Sequence, residues 1–158
     1  MNFSENGKKL LADWEGKKSK QYPDVAGKPT IGVGHLLTQS ELSSGKLRIN
    51  GQDLRYKDGL TDDQIIKLLG ADIGKFEKAV NANVKVSLNQ NQFDALVIFA
   101  FNIGVEAFKS STLLKLLNQK KYEDVPNQLR RWIHSGGAEV GGLKNRREKE
   151  IKLWLAPL

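Results

Sequence analysis

Trp14-Glu15-Gly16, Tyr22-Pro23-Asp24 and Thr30-Ile31-Gly32-Val33-Gly34-His35 follow one another closely, and their reading decides the fold. Upstream, Phe3, Leu10, Leu11 and Trp14 recur at helical spacing. Ser4 and Asn6 are residue types that cap helices, and Gly16 is placed to end one in the left-handed conformation, so a first helix ending at about Glu15 is predicted. Over residues 21–35 turn residues alternate with β-branched ones, which predicts a glycine-rich hairpin. The helix end, the Pro-Asp turn and the strand start place Glu15, Asp24 and Thr30 in a stretch that turns back on itself.

Outward from this stretch, residues 46–56 form a second hairpin. Asn50-Gly51 supplies the two positive φ angles of a type I′ turn between Lys46-Leu47-Arg48-Ile49 and Gln52-Asp53-Leu54-Arg55-Tyr56. Thr61 and Gln64 make a capping box for a helix whose Ile65, Ile66, Leu68, Leu69, Ile73, Phe76 and Val80 keep helical spacing, a helix suited to joining two lobes. Further helices are predicted over 89–103, after the caps Ser111 and Thr112, over 122–133 and over 144–155, divided by Gly136-Gly137 and Gly141-Gly142. The fold class is α+β: one domain with a small N-terminal lobe of hairpins (1–60), a connecting helix (61–81) and a helical C-terminal lobe (82–158).

Composition narrows the function. The chain has 158 residues, of which 39% are hydrophobic and 27% charged, as in soluble globular proteins. It has no cysteine, which excludes disulfides, thiolate zinc sites and cysteine nucleophiles. His35 and His134 have no metal-binding spacing, so neither metal nor cofactor is expected. Residues 1–16 lack the apolar run of a signal peptide or membrane anchor. A net charge of +7 favours polyanions, whether nucleic acid, anionic lipid or an acidic cell envelope.

Glycosidic hydrolysis needs one protonated carboxyl for the leaving oxygen and one ionised carboxylate to activate water or support an oxocarbenium-like centre. Glu15, at the negative end of a helix beside Trp14, lies where dipole and desolvation disfavour the ionised form, which suits the acid. Asp24, in a polar turn beside backbone N–H groups, suits the base. On spacing alone, ordinary surface carboxylates remain an open reading.

The ordered set of motifs above is similar to the N-terminal signature of the phage-type lysozymes, the endolysins related to T4 lysozyme in glycoside hydrolase family 24. The resemblance continues through Gln92-Phe93-Asp94-Ala95-Leu96, Phe99-Ala100-Phe101-Asn102-Ile103-Gly104, Ser111-Thr112-Leu113-Leu114, Arg131-Trp132 and Gly142-Leu143 with Arg146-Arg147. It implies a lysozyme-like fold of two lobes with the cleft between them. It also implies a muramidase acting on the β-1,4 bond between N-acetylmuramic acid and N-acetylglucosamine, with Glu15 as general acid, Asp24 as its carboxylate partner and Thr30 placing water. By the same resemblance Phe101 and Asn102 line the sugar cleft, and Arg146 approaches and orients the acid. The expected partners are peptidoglycan glycan strands and, by charge, an anionic cell envelope, with no specific nucleic acid and no membrane insertion. The chain is expected to act as a monomer and to stay in the cytoplasm of the infected bacterium until released to the wall. The departure from the T4 pattern is the longer segment 40–59.

His35 is read as a hydrogen-bonded structural side chain rather than a proton carrier, and Gly32 and Gly34 either as close approaches to a sugar or as a bend. Trp132 and Trp154 are read as core. The basic stretch 144–152 is read as a solvated helix face, because its acids argue against a nucleic-acid module, the runner-up function. Within the enzyme class the rival is a lytic transglycosylase, which cuts the same bond with one acid.

Overall fold

The computed structural model describes residues 1–135 and 137–158, so Gly136 of the expected Gly136-Gly137 break lies outside the described residues. The chain divides into two compact units, Lys8–Gly74 and Met1–Gly7 with Lys75–Leu158, and the division falls inside two helices, α1 (Glu5–Glu15) and α3 (Asp62–Asn83).

In the first unit, α1 ends at Glu15 because Gly16 takes φ +85° and its N–H donates to the Ala12 carbonyl at 2.8 Å. The chain then forms a three-stranded antiparallel sheet in the order β1 (Lys18–Pro23), β2 (Pro29–Gly32), β3 (His35–Leu36), one strand more than the expected hairpin. Gly32 and Gly34 both have φ +68° and make the β2–β3 bend. A Cβ on Gly32 would stand 3.3 Å from Leu68 of α3, so this glycine also allows the sheet to pack on that helix. The bend reading of the two glycines therefore holds.

A short helix that the sequence reading passed over, α2 (Gln39–Ser44), follows. Thr38 and Glu41 make a reciprocal capping box, and the Glu41 carbonyl accepts the Tyr56 hydroxyl at 2.9 Å. The second hairpin is as expected: β4 (Lys46–Ile49) pairs antiparallel with β5 (Gln52–Arg55), and Asn50 and Gly51 take φ +52° and +80°. Thr61 and Gln64 exchange the two capping hydrogen bonds that start α3.

The second unit is built around α4 (Gln90–Ile103), which is buried at every position from Phe93 to Ala100 and starts on an Asn89–Gln92 capping box. The buried Asp94 carboxylate on it accepts the Ser4 N–H, the Ser4 hydroxyl and the Gln90 side-chain amide, while the Ser4 oxygen accepts the Gly7 N–H and so caps α1. Around α4 lie α5 (Val105–Lys109), α6 (Thr112–Asn118, capped by Ser111), α7 (Val125–Leu129) and α8 (Gly141–Leu155). The helix expected over 122–133 is corrected to a 3₁₀ turn at Tyr122–Asp124 followed by the short α7. Pro126 lacks the N–H that a continuous helix would need, and past Leu129 the bonds tighten to Arg131 N–H on Gln128 and Trp132 N–H on Leu129. Between α7 and α8 the two-residue strands β6 (His134–Ser135) and β7 (Ala138–Glu139) pair where the sequence reading had only glycines. Trp154 is core, whereas Trp132 is half-buried with its ring edge-on to Phe99 at 5.7 Å.

His35 makes the structural contacts expected of it. Nδ1 lies 2.7 Å from Asp72 Oδ2 on α3 and Nε2 lies 2.9 Å from Glu41 Oε1 on α2. Burial weakens its hold on a proton, but the two carboxylates outweigh burial and raise its pKa to about 9. A histidine that holds its proton more tightly folded than unfolded stabilises the fold fully below its unfolded value of about 6.5, and the contribution is lost as pH rises through 9. His35→Gln should therefore cost on the order of 2–3 kcal/mol at pH 6 and much less at pH 10, read by urea unfolding at both pH values. An equal loss at the two values would show that the imidazolium is not what holds α2 and α3 to the sheet.

Candidate active site

Glu15 is the last residue of α1 and is exposed, while Trp14 before it is half-buried. The desolvation expected beside Trp14 is thus not supplied by burial of the carboxyl within the chain; the helix end remains, where the backbone carbonyls face the side chain. An exposed carboxyl at a rigid helix terminus can deliver a proton to a ligand that reaches it.

Asp24 follows β1 in a closed turn. Its Oδ1 accepts the Ala26 N–H at 2.9 Å and the Lys28 N–H at 2.8 Å, its own N–H donates to the Lys28 carbonyl at 2.9 Å, and its carbonyl accepts the Gly27 N–H at 2.9 Å. Two backbone donors on one oxygen fix the carboxylate, and Oδ2 takes part in neither bond. Thr30, on the central strand β2, is 1% exposed, and its hydroxyl donates to the same Lys28 carbonyl at 2.8 Å. One residue's backbone thus ties Asp24 and Thr30 together. The expected water-placing role of Thr30 has to accommodate this bond: its proton is committed to Lys28, so toward a water the oxygen can only accept.

Tyr22 pairs with Thr30 across β1 and β2. Burial, then the negative fields of Glu15 and Asp24, push its phenol above the usual range. Both carboxylates therefore act on one hydroxyl, which keeps its proton and remains a donor. The sequence reading used Tyr22 as a motif residue only; its pairing with Thr30 across the two strands depends on register, which the sequence does not show.

The remaining candidates lie in the second unit. Phe101, on the last turn of α4, is half-buried with its ring edge-on to Phe76 at 5.3 Å, and Asn102 beside it is exposed. Arg146, on α8, has Nε 3.4 Å from Glu150 Oε2, and its side chain is 11% exposed. The acid-orienting role of Arg146 rests on the resemblance.

The solvated-face reading of 144–152 is corrected at two positions. Lys144, Glu148, Lys149 and Lys152 are exposed, but Arg147 and Glu150 are fully buried. Arg147 Nη1 stands 3.2 Å from Glu150 Oε1, its guanidinium lies 5.0 Å from the centre of the Phe99 ring, and Nη2 donates to Asn102 Oδ1. Burial loosens the Arg147 proton, Glu150 opposes that and Arg146 adds to it, yet a guanidinium so placed stays charged. The signal was present in the helical spacing, because Arg147 and Glu150 share a stripe with Ile151 and Trp154 that turns toward α4, and the charges masked it. Among the described residues no cluster of acids and histidines could hold a metal.

Residues 12–150 match the sequence pattern of the family described as phage lysozyme. The chain belongs to the phage lysozyme family. It is 37% identical over 156 residues to the endolysin of Salmonella phage P22, an alignment covering 99% of each chain. Against the endolysin of Bacillus phage B103 it is 37% identical over 157 residues, covering 98% of this chain but 54% of that one, so it spans about half the length of that relative. Among solved structures, a P22 lysozyme mutant superposes with a TM-score of 0.83 at 35% identity, covering 99% of both chains. The muramidase domain of SpmX from Asticaccaulis excentricus superposes at 0.80 and 31%, also over 99% of both. The α+β lysozyme fold expected from the sequence is thus the fold found.

In this chain Arg147→Ala is expected to cost about 3–5 kcal/mol, because it removes one of the two guanidiniums that balance the buried Glu150 and leaves a cavity against Phe99. Lys152→Ala, on the exposed face, should stay within about 0.5 kcal/mol. Guanidinium unfolding of the two variants compares them directly, and equal midpoints would return Arg147 to the solvated face.

Proposed function

We propose that the chain is a muramidase, a lysozyme-type glycoside hydrolase that cuts the β-1,4 bond between N-acetylmuramic acid and N-acetylglucosamine. In an infected bacterium it would lyse the cell for phage release after accumulating in the cytoplasm. The observation that carries the reading is the pairing of an accessible carboxyl at a helix end with a second carboxylate and a hydroxyl locked to the backbone of one residue, in one compact unit. The partners proposed are peptidoglycan glycan strands and, through the excess of Lys and Arg, an anionic envelope.

Glu15 gives its proton to the leaving glycosidic oxygen as the bond to the sugar carbon lengthens. Asp24, held through Oδ1, presents Oδ2 to take a proton from the attacking water or to stabilise positive charge at that carbon. Thr30, its hydroxyl proton held by Lys28, offers only an acceptor to that water and keeps the Asp24 turn closed beneath it. The Tyr22 phenol, kept protonated in the field of both carboxylates, is available to donate to a substrate oxygen. Phe101 and Asn102 contribute an apolar ring edge and an amide to sugar binding.

Glu15→Gln should abolish lysis of purified peptidoglycan while melting like wild type, and Asp24→Asn should lower the rate by at least about 100-fold. Mass spectrometry of the products should give reducing muramic ends with one water added. Anhydro ends would mean transglycosylation, and intact glycan would end the muramidase reading. A full rate in folded Glu15→Gln would remove Glu15 from the acid role.

Lysis of intact walls should slow as salt rises from about 0.05 to 0.5 M, while cleavage of a short neutral glycan should not. A salt-independent rate on walls would remove electrostatic recruitment from the account.

A further inference from the structure

Helix α6 closes on a lysine in a conformation that lysine rarely takes. Lys120 has φ +64°. Its N–H and that of Lys121 reach back to the Leu117 and Leu116 carbonyls at 2.9 and 3.1 Å, the paired bonds that end a helix on a left-handed residue. Glycine fills that place at no steric cost, so a side chain stands there against local preference. Asn118 ties the segment after α3 to the same corner: its Oδ1 accepts the Lys85 N–H at 2.7 Å and its Nδ2 donates to the Asn83 carbonyl at 2.9 Å. The Tyr122 hydroxyl adds a bond to the Ser87 carbonyl at 2.7 Å. Lys85, Lys115, Lys120 and Lys121, all exposed, are thus gathered on one corner of the second unit. Beside it an open cavity of about 360 Å³ is lined by Lys109, Lys115, Ser110, Thr112 and Asn118, and no carboxylate lines it. Glu106 stands 3.8 Å from Lys109, and among the described residues no ion pair reaches Lys115, Lys120 or Lys121.

We infer that this corner and its cavity form a docking surface for the carboxylates of peptidoglycan stem peptides. The inference rests on the muramidase reading and names the wall group that meets the basic charge. Charge of one sign without local partners favours an anion. None of the exposed large apolar side chains lies on α6 or the turn after it, as insertion into a lipid surface would need. Tyr122 is half-buried and bonded to Ser87 rather than presented for base stacking, which argues against a nucleic acid. Stem peptides end in free carboxylates, so the polymer that the proposed reaction cuts brings its own anions. Ammoniums on flexible stems pair with carboxylates that arrive at many angles, which suits a repeating and irregular partner. The cavity admits the end of one peptide, with Lys109 and Lys115 for its carboxylate. Ser110 Oγ donates to the Glu106 carbonyl at 3.0 Å and so offers an acceptor to a peptide N–H. Lys120 and Lys121 extend the same charge past the helix end.

Binding is read by co-sedimentation with purified peptidoglycan at about 0.05 M salt, in a Glu15→Gln parent so that cleavage does not intervene. The triple variant Lys115→Gln, Lys120→Gln, Lys121→Gln should bind about tenfold more weakly than the parent. The control triple Lys9→Gln, Lys46→Gln, Lys57→Gln removes the same charge from the other unit and should stay within about twofold. Lys120→Gly suits the backbone and removes one charge, so it should melt no lower than the parent and still bind severalfold more weakly. Converting the wall carboxylates to neutral amides should bring the parent down to the level of the lysine triple and cost the triple nothing more. Equal binding by the two triples overturns the surface. Full binding of the parent to amidated walls, with loss on walls stripped of phosphodiester polymers, overturns the carboxylate assignment, and so does binding to anionic lipid vesicles with the same dependence on the three lysines. Cleavage of a short neutral glycan, with Glu15 restored, separates the readings. The lysine triple should cut it at the wild-type rate, whereas failure of the wild type to cut it ends the muramidase reading whatever the walls bind.

Discussion

The backbone of Lys28 sets the site. Its N–H holds Asp24 Oδ1, and its carbonyl accepts both the Asp24 N–H and the Thr30 hydroxyl, so a single rigid unit determines where a carboxylate and a hydroxyl stand. Side chains held by backbone groups lose less order to thermal motion than side chains held by other side chains, because the backbone here has no rotamers to sample. The β1–β2 turn and the strand pairing Tyr22 with Thr30 are the framework that keeps Lys28 in place. Glu15 is positioned by different means, at the end of a helix stopped by Gly16. In the proposed reaction the acid thus keeps access to solvent while its partner is pinned, and the two halves of that reaction ask for the division.

The buried charges of α8 follow another logic. Glu150 stands between two guanidiniums, Arg146 at 3.4 Å and Arg147 at 3.2 Å. Such a cluster adds little net stability over apolar side chains of equal volume, because desolvation offsets most of the attraction. The ion pairs lie within α8 and move with it, so what ties α8 to one register on α4 is the reach of Arg147 across to Asn102 and the Phe99 ring. Apolar packing alone would tolerate neighbouring registers, and that reach does not.

Much of this was legible in the residues. Gly16, Asn50-Gly51 and the Thr61–Gln64 pair each specify local geometry through φ preference or capping, and each appears where the sequence places it. Glu15, Asp24 and Thr30 are proposed from the carboxylate chemistry together with the family resemblance, and Asp24 and Thr30 share the Lys28 backbone. The misses share a cause. Helix α2 carried its own signal in Thr38 and Glu41, but at six residues it is too short for periodicity to show. The broken helix at 122–133 turned on Pro126, whose missing N–H outweighs an apolar pattern that continues past it. Arg147 and Glu150 lie on the stripe of Ile151 and Trp154, but their charges read as solvated: Glu150 is paired within α8 by Arg146 and Arg147, and only the contacts of Arg147 with Asn102 and Phe99 of α4 lie outside any local window.

The Ser4–Asp94 contact joins residues 90 positions apart. Because residues Met1–Gly7 belong with Lys75–Leu158, a segment made before Lys8–Gly74 finds its partners only after it. On the ribosome, Lys8–Gly74 holds nearly all the contacts its own compact unit requires once Gly74 has emerged, while the N-terminal segment waits for α4. Closing a loop of that size is entropically slow, so the start of α1 is expected to dock late, on a partly assembled protein. Loss of Ser4 would accordingly be felt twice, in the unsatisfied Asp94 carboxylate on α4 and in the uncapped start of α1, the helix that ends on Glu15.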